Sequence, residues 1–207
     1  MDRRSFFRSA LDKGGKTVIN AVDASVRKQA SRWIRPPFAL DELEFILACT
    51  RCGDCIEACP HEVIFGLSAR VGAKFAGTPA LDLLNKGCHL CADWPCVNAC
   101  EPDALVLPEP APAPGKHATE LRGTRRSKPV TAKLAGKLST ASIDRQTCLP
   151  YSGPECGACI ESCPVPGALK LDMSRPTIDP DICPGCGLCR QACITEPKAI
   201  RIASLYY

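Results

Sequence analysis

The sequence predicts an α+β fold in which one short cysteine-rich unit is repeated four times along 207 residues. All 16 cysteines fall into four quartets with none left over, and the last gap within every quartet is three residues. Short apolar segments of the kind that form strands follow the quartets. Only 5% of the residues are aromatic, so we expect the cores to be built around the cysteines.

The first quartet has the most informative spacing. Residues 49–60 follow the pattern C-x2-C-x2-C-x3-C-P, with cysteines at Cys49, Cys52, Cys55 and Cys59. In the bacterial ferredoxin run with this spacing, three cysteines bind one [4Fe-4S] cluster and the fourth binds the cluster of a partner motif. One such run is therefore half of a two-cluster unit, and its partner must lie elsewhere in the chain.

The other three quartets keep this plan, two of them with an enlarged loop. The spacings are C-x2-C-x4-C-x3-C in the second quartet, C-x7-C-x2-C-x3-C in the third, and the regular gaps in the fourth. Their cysteines are Cys88, Cys91, Cys96 and Cys100; Cys148, Cys156, Cys159 and Cys163; and Cys183, Cys186, Cys189 and Cys193. The repeat predicts two tandem bacterial 2[4Fe-4S] ferredoxin-like modules, with four [4Fe-4S] clusters on 16 thiolates.

Zinc and disulfides are the alternatives for so many cysteines. Structural zinc usually pairs two C-x2-C knuckles about 15 to 20 residues apart, whereas each quartet here lies within 11 to 16 residues. Disulfides need an oxidising compartment, and no cleavable export signal is predicted. No run approaches the roughly 18 apolar residues of a membrane span. We therefore expect a soluble iron–sulfur protein with reduced cysteines.

The fourth cysteine of each quartet decides which quartets form a pair. Neighbouring quartets are favoured because the connections 59–88 and 163–183 are short. The predicted ligands are Cys49, Cys52, Cys55 and Cys100 for cluster 1; Cys88, Cys91, Cys96 and Cys59 for cluster 2; Cys148, Cys156, Cys159 and Cys193 for cluster 3; and Cys183, Cys186, Cys189 and Cys163 for cluster 4. The alternative nests the second and third quartets between the first and fourth, as in four-cluster subunits of molybdenum oxidoreductases.

Composition divides the chain into four segments. They are a basic N-terminal arm at 1–37, a first module at 38–108, a Pro-rich and then basic linker at 109–137, and a second module at 138–207. Residues 1–35 and 110–137 each carry a net charge of +6, although the whole chain carries only +4. The cysteine-bearing parts are therefore acidic, and bound clusters make them more so.

The basic arm has two competing interpretations. Arg3-Arg4-Ser5-Phe6-Phe7-Arg8 looks like a twin-arginine export motif, but charges interrupt the apolar stretch of about 7 to 15 residues that must follow. The predicted location is therefore cytoplasmic, with periplasmic twin-arginine export as the alternative. Helical spacing predicts an amphipathic helix whose face carries Val18, Ala21, Val22, Ser25 and Val26. Such a helix can dock a redox partner, contact a membrane surface through residues 1–35, or cover the core.

Short elements are expected around the quartets. A helix is predicted over 40–47 with Asp41 as its N-cap. The predicted strands lie at 104–107, 141–144, 168–171, 177–180 and 199–202. Small residues between the ligands are expected to let the backbone close on the clusters, namely Gly53, Gly157, Gly185 and Gly187.

The sequence offers no catalytic constellation. No Ser/His/Asp set, dinucleotide loop or pair of acid–base carboxylates stands out, and no helix-turn-helix is visible. With every quartet fully used, we expect no enzyme, no small-molecule substrate and no nucleic-acid partner. His61 and His89 are predicted beside clusters 1 and 2, either to couple protons to electron transfer or as solvent-facing loop residues.

These motifs together resemble the ferredoxin-type accessory proteins of periplasmic nitrate reductase and methylamine-utilisation systems, the NapF, NapG and MauM types. The likeness rests on Ile34-Arg35-Pro36-Pro37 before the first quartet, Trp94-Pro95 in the C-x4-C loop, the C-x7-C gap at Cys148, and the glycine-containing fourth quartet. By this resemblance, NapG and MauM types look exported. NapF types stay in the cytoplasm and are linked to maturation of the molybdenum reductase.

The resemblance implies an electron-transfer protein accessory to a molybdenum reductase, nitrate reductase-like, or to a similar redox enzyme. The alternative is a fixed four-cluster electron-wire subunit of a larger membrane-attached oxidoreductase complex. In both cases the expected partner is a redox protein, either a molybdenum reductase or a quinol-linked complex.

Overall fold

Two stretches of the chain, residues 22–108 and 136–206, are described by the computed structural model. The twin-arginine-like start and most of the predicted linker lie outside the described residues. We refer to residues 38–108 as the first half of the cysteine-bearing protein and to residues 136–206 as the second half. No helix within the described stretches is long and apolar enough to span a membrane.

The helices are short, and most of them are built around a cysteine. They are α1 over 22–30, α2 Glu42–Ala48, α3 Asp54–Glu57, α4 Pro95–Asn98, α5 Leu149–Ser152, α6 Ala158–Glu161 and α7 Leu188–Ala192, with a 3₁₀ turn at Ala69–Val71. The third cysteine of each quartet lies inside α3, α4, α6 or α7, and the fourth follows at or just beyond the end of that helix. Each of these helices therefore presents one thiol and then reverses the chain.

The strands form antiparallel pairs only. They are β1 Ile64–Gly66, β2 Pro79–Leu81, β3 Thr140–Ile143, β4 Leu169–Asp172, β5 Arg175–Ile178 and β6 Ile200–Ala203. β1 pairs with β2, β4 pairs with β5, and β3 pairs with β6. The strands predicted at 141–144, 168–171, 177–180 and 199–202 are found as β3, β4, β5 and β6 with shifts of one or two residues.

The strand predicted at 104–107 is wrong, because only one isolated bridge forms there. Ala39 pairs with Leu105, and the N–H groups of Leu40 and Val106 donate to the carbonyls of Ala104 and Phe38. The pairing cannot extend further because Pro36-Pro37 has no N–H to donate and Phe38 turns the chain at a φ of 59°.

The main hydrophobic core runs through both halves. In the first half, Phe45 of α2 is completely buried, together with Leu83 and Trp94. Leu138 and Cys186 of the second half belong to the same continuous cluster of buried side chains. The two halves therefore share one interior.

The described part of the arm packs against the first half. Val26, Ala30 and Trp33 are buried at i, i+4 and i+7 spacing, against a cluster that includes Phe75 and Ala80. The predicted apolar face is wrong in its register, because Val22 is exposed at 42% and Ser25 is exposed as well. Val18 and Ala21 lie outside the described residues. Residues 22–33, which include this helix, therefore cover the core of the protein itself.

The helix predicted over 40–47 is confirmed as α2, which begins two residues later, at Glu42. Asp41 holds the N-cap position, but its side chain makes no capping hydrogen bond. Its carboxylate instead lies 3.8 Å from the guanidinium of Arg27 on α1. Asp41 thus faces the arm, and α2 relies on its burial rather than on a side-chain cap.

A buried ion pair fixes the arm to this helix. The Nε and Nη2 atoms of Arg35 lie 3.0 Å and 2.5 Å from the two carboxylate oxygens of Glu42, which is fully buried. Trp33 Nε1 also donates to this carboxylate, and Arg35 Nη1 donates to Thr78 and to the carbonyl of Pro79. Because both carboxylate oxygens and all three guanidinium nitrogens have hydrogen-bond partners, the charges are tolerated inside the protein.

Candidate iron–sulfur sites

The first site is a small cavity bordered by thiols from the first and second quartets. Its cysteines are Cys49, Cys52, Cys55 and Cys100. Burial, followed by the neighbouring thiols of Cys100, Cys49 and Cys52, raises the pKa of Cys55 to about 12. The structure therefore brings the last cysteine of the second quartet to the first three of the first quartet.

The second site is the reciprocal small cavity. Its cysteines are Cys59, Cys88, Cys91 and Cys96. Burial, followed by the thiols of Cys88 and Cys59, raises the pKa of Cys96 to about 12. The fourth cysteine of the first quartet has thus crossed to its neighbour, and the packing of α3 on α4 holds the two sites together.

The second half repeats this exchange. The fourth site is a small cavity whose cysteines are Cys163, Cys183, Cys186 and Cys189. At the third site, burial, then Cys148, and then Cys156 and Cys193 raise the pKa of Cys159 to about 11. The geometry thus groups neighbouring quartets in both halves and does not group the nested pairs.

Cys193 differs from the other thiols of the third site. Burial alone would raise its pKa, but hydrogen bonds from the side chain and N–H of Thr195 and from the N–H groups of Ala199 and Ile200 lower it. The Thr195 hydroxyl lies 3.3 Å from the sulfur. These donors favour the thiolate form of Cys193 over its protonated form.

The raised pKa values of these thiols follow from their burial beside one another. A buried thiol with no nearby positive charge holds its proton, whereas a thiol coordinated to a metal ion is deprotonated outright. In the described part of the chain, no three His, Cys, Asp or Glu side chains meet closely enough to hold a single metal ion. Four thiols around a cavity are instead the donor set of a [4Fe-4S] cluster, and the residues present fit that group.

An unpartnered indole gives independent support at the second site. Trp94 lines this cavity and is 2% exposed, and among the described residues no protein group accepts a hydrogen bond from its Nε1–H. Its ring is fixed edge-on against Phe38, with the centroids 4.9 Å apart. A buried donor without a partner is costly, and the sulfurs of a bound cluster would provide an acceptor.

Sequence reasoning missed the turns that aim backbone N–H groups at the sulfurs. The N–H two residues after the first cysteine bonds to that sulfur in three quartets, from Arg51, Leu90 and Gly185. All three residues have a left-handed φ, of 63°, 50° and 75°. For Arg51 and Leu90 this conformation costs about 1–2 kcal/mol. Because neither residue type favours a left-handed turn, these turns could not be predicted from the sequence.

The glycines predicted between ligands behave differently from one another. At Gly185 an added Cβ would clash with the backbone of Ser139, and at Gly187 it would lie 3.2 Å from Leu83. Gly157, in contrast, has a φ of −125° and nothing within 4 Å of the position of a Cβ. No protein atom therefore requires glycine at position 157, and the close approach of its backbone to a cluster stays a prediction.

His61 and His89 were predicted beside different clusters, but both line the second cavity. Their rings stack with centroids 3.6 Å apart and planes 9° apart. Burial, and then the charge of His61, lowers the pKa of His89. The exchange of Cys59 into the second site brings the two rings together, because His61 follows that cysteine by two residues.

Comparison with known proteins agrees with this chemistry. The family model described as "4Fe-4S binding domain" matches residues 47–65, around the first quartet. A "Ferredoxin-type protein NapG" of Haemophilus influenzae is 34% identical over 97% of this chain and 71% of its own length. A "Methylamine utilization ferredoxin-type protein MauM" of Methylobacillus flagellatus is 32% identical, over 97% and 83%.

A third relative carries the NapF name. The "Ferredoxin-type protein NapF" of Escherichia coli is 31% identical over 83% of this chain and 91% of its own length. No solved structure matches the chain. Because such similarity extends over nearly the whole sequence, the chain belongs to the family of ferredoxin-type iron–sulfur proteins that includes NapG, MauM and NapF.

Proposed function

We propose that this chain is an electron-transfer protein that holds four [4Fe-4S] clusters in two tandem 2[4Fe-4S] ferredoxin-like modules. The observation that carries the proposal is the exchange of the fourth cysteine between neighbouring quartets in both halves. This exchange is the arrangement expected for two-cluster ferredoxin modules. The proposed ligands are the four sets of cysteines given in the sequence analysis.

The bound clusters would supply one-electron chemistry, and the residues of the chain would hold the clusters, exclude water and donate hydrogen bonds to the ligand sulfurs. The buried side chains of Phe45 and Leu105 border the first site and exclude water from it. Backbone N–H groups in the left-handed turns bond to ligand sulfurs, and such bonds stabilise the added electron. No residue in this arrangement is needed for bond making or breaking.

The proposed partner is a redox protein. The resemblance described above favours a molybdenum reductase of the nitrate reductase type or a similar enzyme. A fixed four-cluster subunit of a larger complex is the second candidate, and the shared interior of the two halves supports it because a continuous body suits a through-path for electrons.

The test of the proposed function is the metal content of the protein purified without oxygen. We expect about 16 iron and about 16 acid-labile sulfide per chain, since each [4Fe-4S] cluster contributes four of each. Replacing Cys55 or Cys159 by Ala should each remove one cluster's share of iron. A colourless protein that holds zinc would contradict the proposal.

Carrier and fixed subunit are distinguished by what co-purifies with the chain. Removing residues 1–35 would be uninformative, because Val26, Ala30 and Trp33 are buried in the protein itself. Removing residues 1–21 leaves the described helix intact. If this shortened chain keeps its clusters but loses a stably bound partner, the fixed-subunit proposal and the docking role of the basic arm are both supported.

The location of the chain stays a prediction. The cytoplasmic location inferred from the interrupted apolar stretch gains no support from the relatives, since those matched over 97% of the chain carry the NapG and MauM names. Cell fractionation of the full chain, beside a variant with Arg3 and Arg4 replaced by Lys, measures the location directly. A periplasmic protein that stays inside when both arginines are replaced would establish export.

A further inference from the structure

The two halves of the protein meet at the backbone of two cysteines. The N–H of Cys88 donates to the carbonyl of Cys186 at 2.7 Å, so a proposed ligand of the second site is hydrogen-bonded to a proposed ligand of the fourth. One residue earlier, the N–H of Gly87 donates to Oε1 of Gln191, also at 2.7 Å. The contact between the halves is therefore made at the sites themselves rather than at a distant surface.

Small residues bring the two backbones this close. A Cβ placed on Gly87 would lie 2.6 Å from Cδ2 of Leu188 and 2.7 Å from its Cα. Gly187 similarly approaches Leu83, and Nε of Arg190 donates to the carbonyl of Leu84 at 3.0 Å. At these points no layer of side chains separates the halves. We call residues 83–88 and 184–191 the junction.

The packing of the helices gives the same order of neighbours. The backbone hydrogen bond from Cys88 to Cys186 joins the second site to the fourth. Helix α3, which carries Cys55, packs on α4, which carries Cys96, and α6, which carries Cys159, packs on α7, which carries Cys189. The first site therefore adjoins the second, and the fourth adjoins the third.

The first and third sites lie at the two ends of this order, and the first contains a solvent-exposed thiol. Cys88 and Cys186 are only 7% and 6% exposed. At the first site, in contrast, Cys52 is exposed, and Leu47 is 79% exposed two residues before the first ligand. At the third site, Ile194 directly after Cys193 is 68% exposed. Exposed apolar side chains beside the outer sites suit transient contact with a protein partner.

We infer that the junction is the electron-transfer contact between the two halves, so that electrons pass through the sites in the order first, second, fourth and third. This inference rests on the proposed four-cluster function. Each step moves one electron from a reduced centre to an oxidised one, with no bond made or broken and no proton required. Electrons would enter and leave at the first and third sites, which are the two ends of this order.

The test compares two glycine substitutions in the full chain with its clusters bound. Gly87→Ala places a methyl group against Leu188 and should push the halves apart, whereas Gly66→Ala, in β1, meets nothing closer than 3.7 Å. Iron and sulfide are counted for both, and electron paramagnetic resonance is recorded on the fully reduced proteins. The spectra report magnetic interaction between clusters, which weakens with distance.

We expect Gly87→Ala to hold as much iron as Gly66→Ala and to lose part of the magnetic interaction between the clusters of the two halves. A Gly87→Ala protein whose spectrum matches that of Gly66→Ala would overturn the inference. If Gly87→Ala does not fold, the double variant Arg190→Ala and Gln191→Ala removes the side-chain contacts of the junction, and the same readouts decide. Iron content of the unaltered chain tests the proposed function separately.

Discussion

The two halves of the protein place their cysteines alike but differ in the regular structure around them. In the second half, the outer strands β3 and β6 pair over four residues, and β4–β5 forms the inner hairpin. In the first half, the inner pair β1–β2 is present, but the outer pair has shrunk to the single bridge between Ala39 and Leu105. The exchange of fourth cysteines is nevertheless the same, so the repeat is carried by the thiols and the helices.

What the first half lacks in strands it gains from the arm. Its α2 is held by the buried pair of Arg35 and Glu42, and α1 covers the cluster around Phe75. The described second half contains no buried ion pair, since its pairs, Arg201 with Asp144 and Lys170 with Asp179, have exposed members. The comparison teaches that one cluster plan can be stabilised either by strand pairing or by a covering segment.

The largest expected effect comes from breaking the buried ion pair between Arg35 of the arm and Glu42 of the first half. Glu42→Ala leaves the Arg35 guanidinium buried without its partner, and such a loss costs about 3–5 kcal/mol. We expect the denaturant midpoint for loss of cluster absorbance to fall strongly. Replacing Arg35 and Glu42 together by Met should recover most of this loss, because an apolar pair leaves no unpaired charge. Equal loss in the single and double variants would contradict the explanation.

A medium effect should separate two glycines in the second half. Gly185→Ala puts a side chain into a left-handed φ of 75° and against the backbone of Ser139, which costs at least about 1–2 kcal/mol. Gly157→Ala faces open space at an ordinary φ and should change stability by less than about 0.5 kcal/mol. Thermal midpoints measured without oxygen check both; a larger loss for Gly157→Ala would refute the structural distinction.

A smaller effect is expected at the second site, whose enlarged loop carries Trp94. Trp94→Phe keeps the aromatic ring but removes the unpartnered N–H, so the added electron on one cluster loses a stabilising hydrogen bond. One midpoint potential should fall, on the order of tens of millivolts, while the others stay unchanged. A redox titration followed by electron paramagnetic resonance measures this. Four unchanged potentials would show that the indole does not donate to the cluster.

The smallest effect is expected from the exposed ion pairs that the halves have in common. Lys86 lies 3.2 Å from Glu62 in the first half, and Lys170 lies 3.9 Å from Asp179 in the second. Exposed pairs of this kind contribute about 0–1 kcal/mol. Lys86→Ala and Lys170→Ala should therefore lower the thermal midpoint slightly and equally. A large loss in only one of them would reveal a difference between the halves that the geometry does not show.

Much of this arrangement could be predicted from the sequence because it depends on local spacing. The gap of three residues before the last cysteine places Cys55 inside a helix and Cys59 beyond its end, and the short connection to Cys88 brings neighbouring quartets together. The strands β3 and β6 were predictable for the same reason, from their alternation and branched residues.

The remaining features depend on tertiary packing. Among residues 22–33 the buried stripe includes Val26 and leaves Val22 exposed, because the position of Trp33 against Phe75 sets which face turns inward. Likewise, the contact of Gly87 with Leu188 joins residues about a hundred positions apart, and no local pattern announces it. The strand at 104–107 failed because the prolines at 36 and 37 limit its partner, which a search for apolar segments does not examine.

The exposure of Cys52 also sets an expected order of oxidative damage. Oxidation of cysteine follows solvent access. The thiol of Cys52 is exposed, as is the neighbouring Arg51, whereas Cys88 and Cys186 are buried where the two halves meet. In air, the first site should therefore lose its iron before the inner sites do. A chain damaged in this way would keep its centre and lose one of its two ends, so that it could still be reduced but could no longer pass electrons onward.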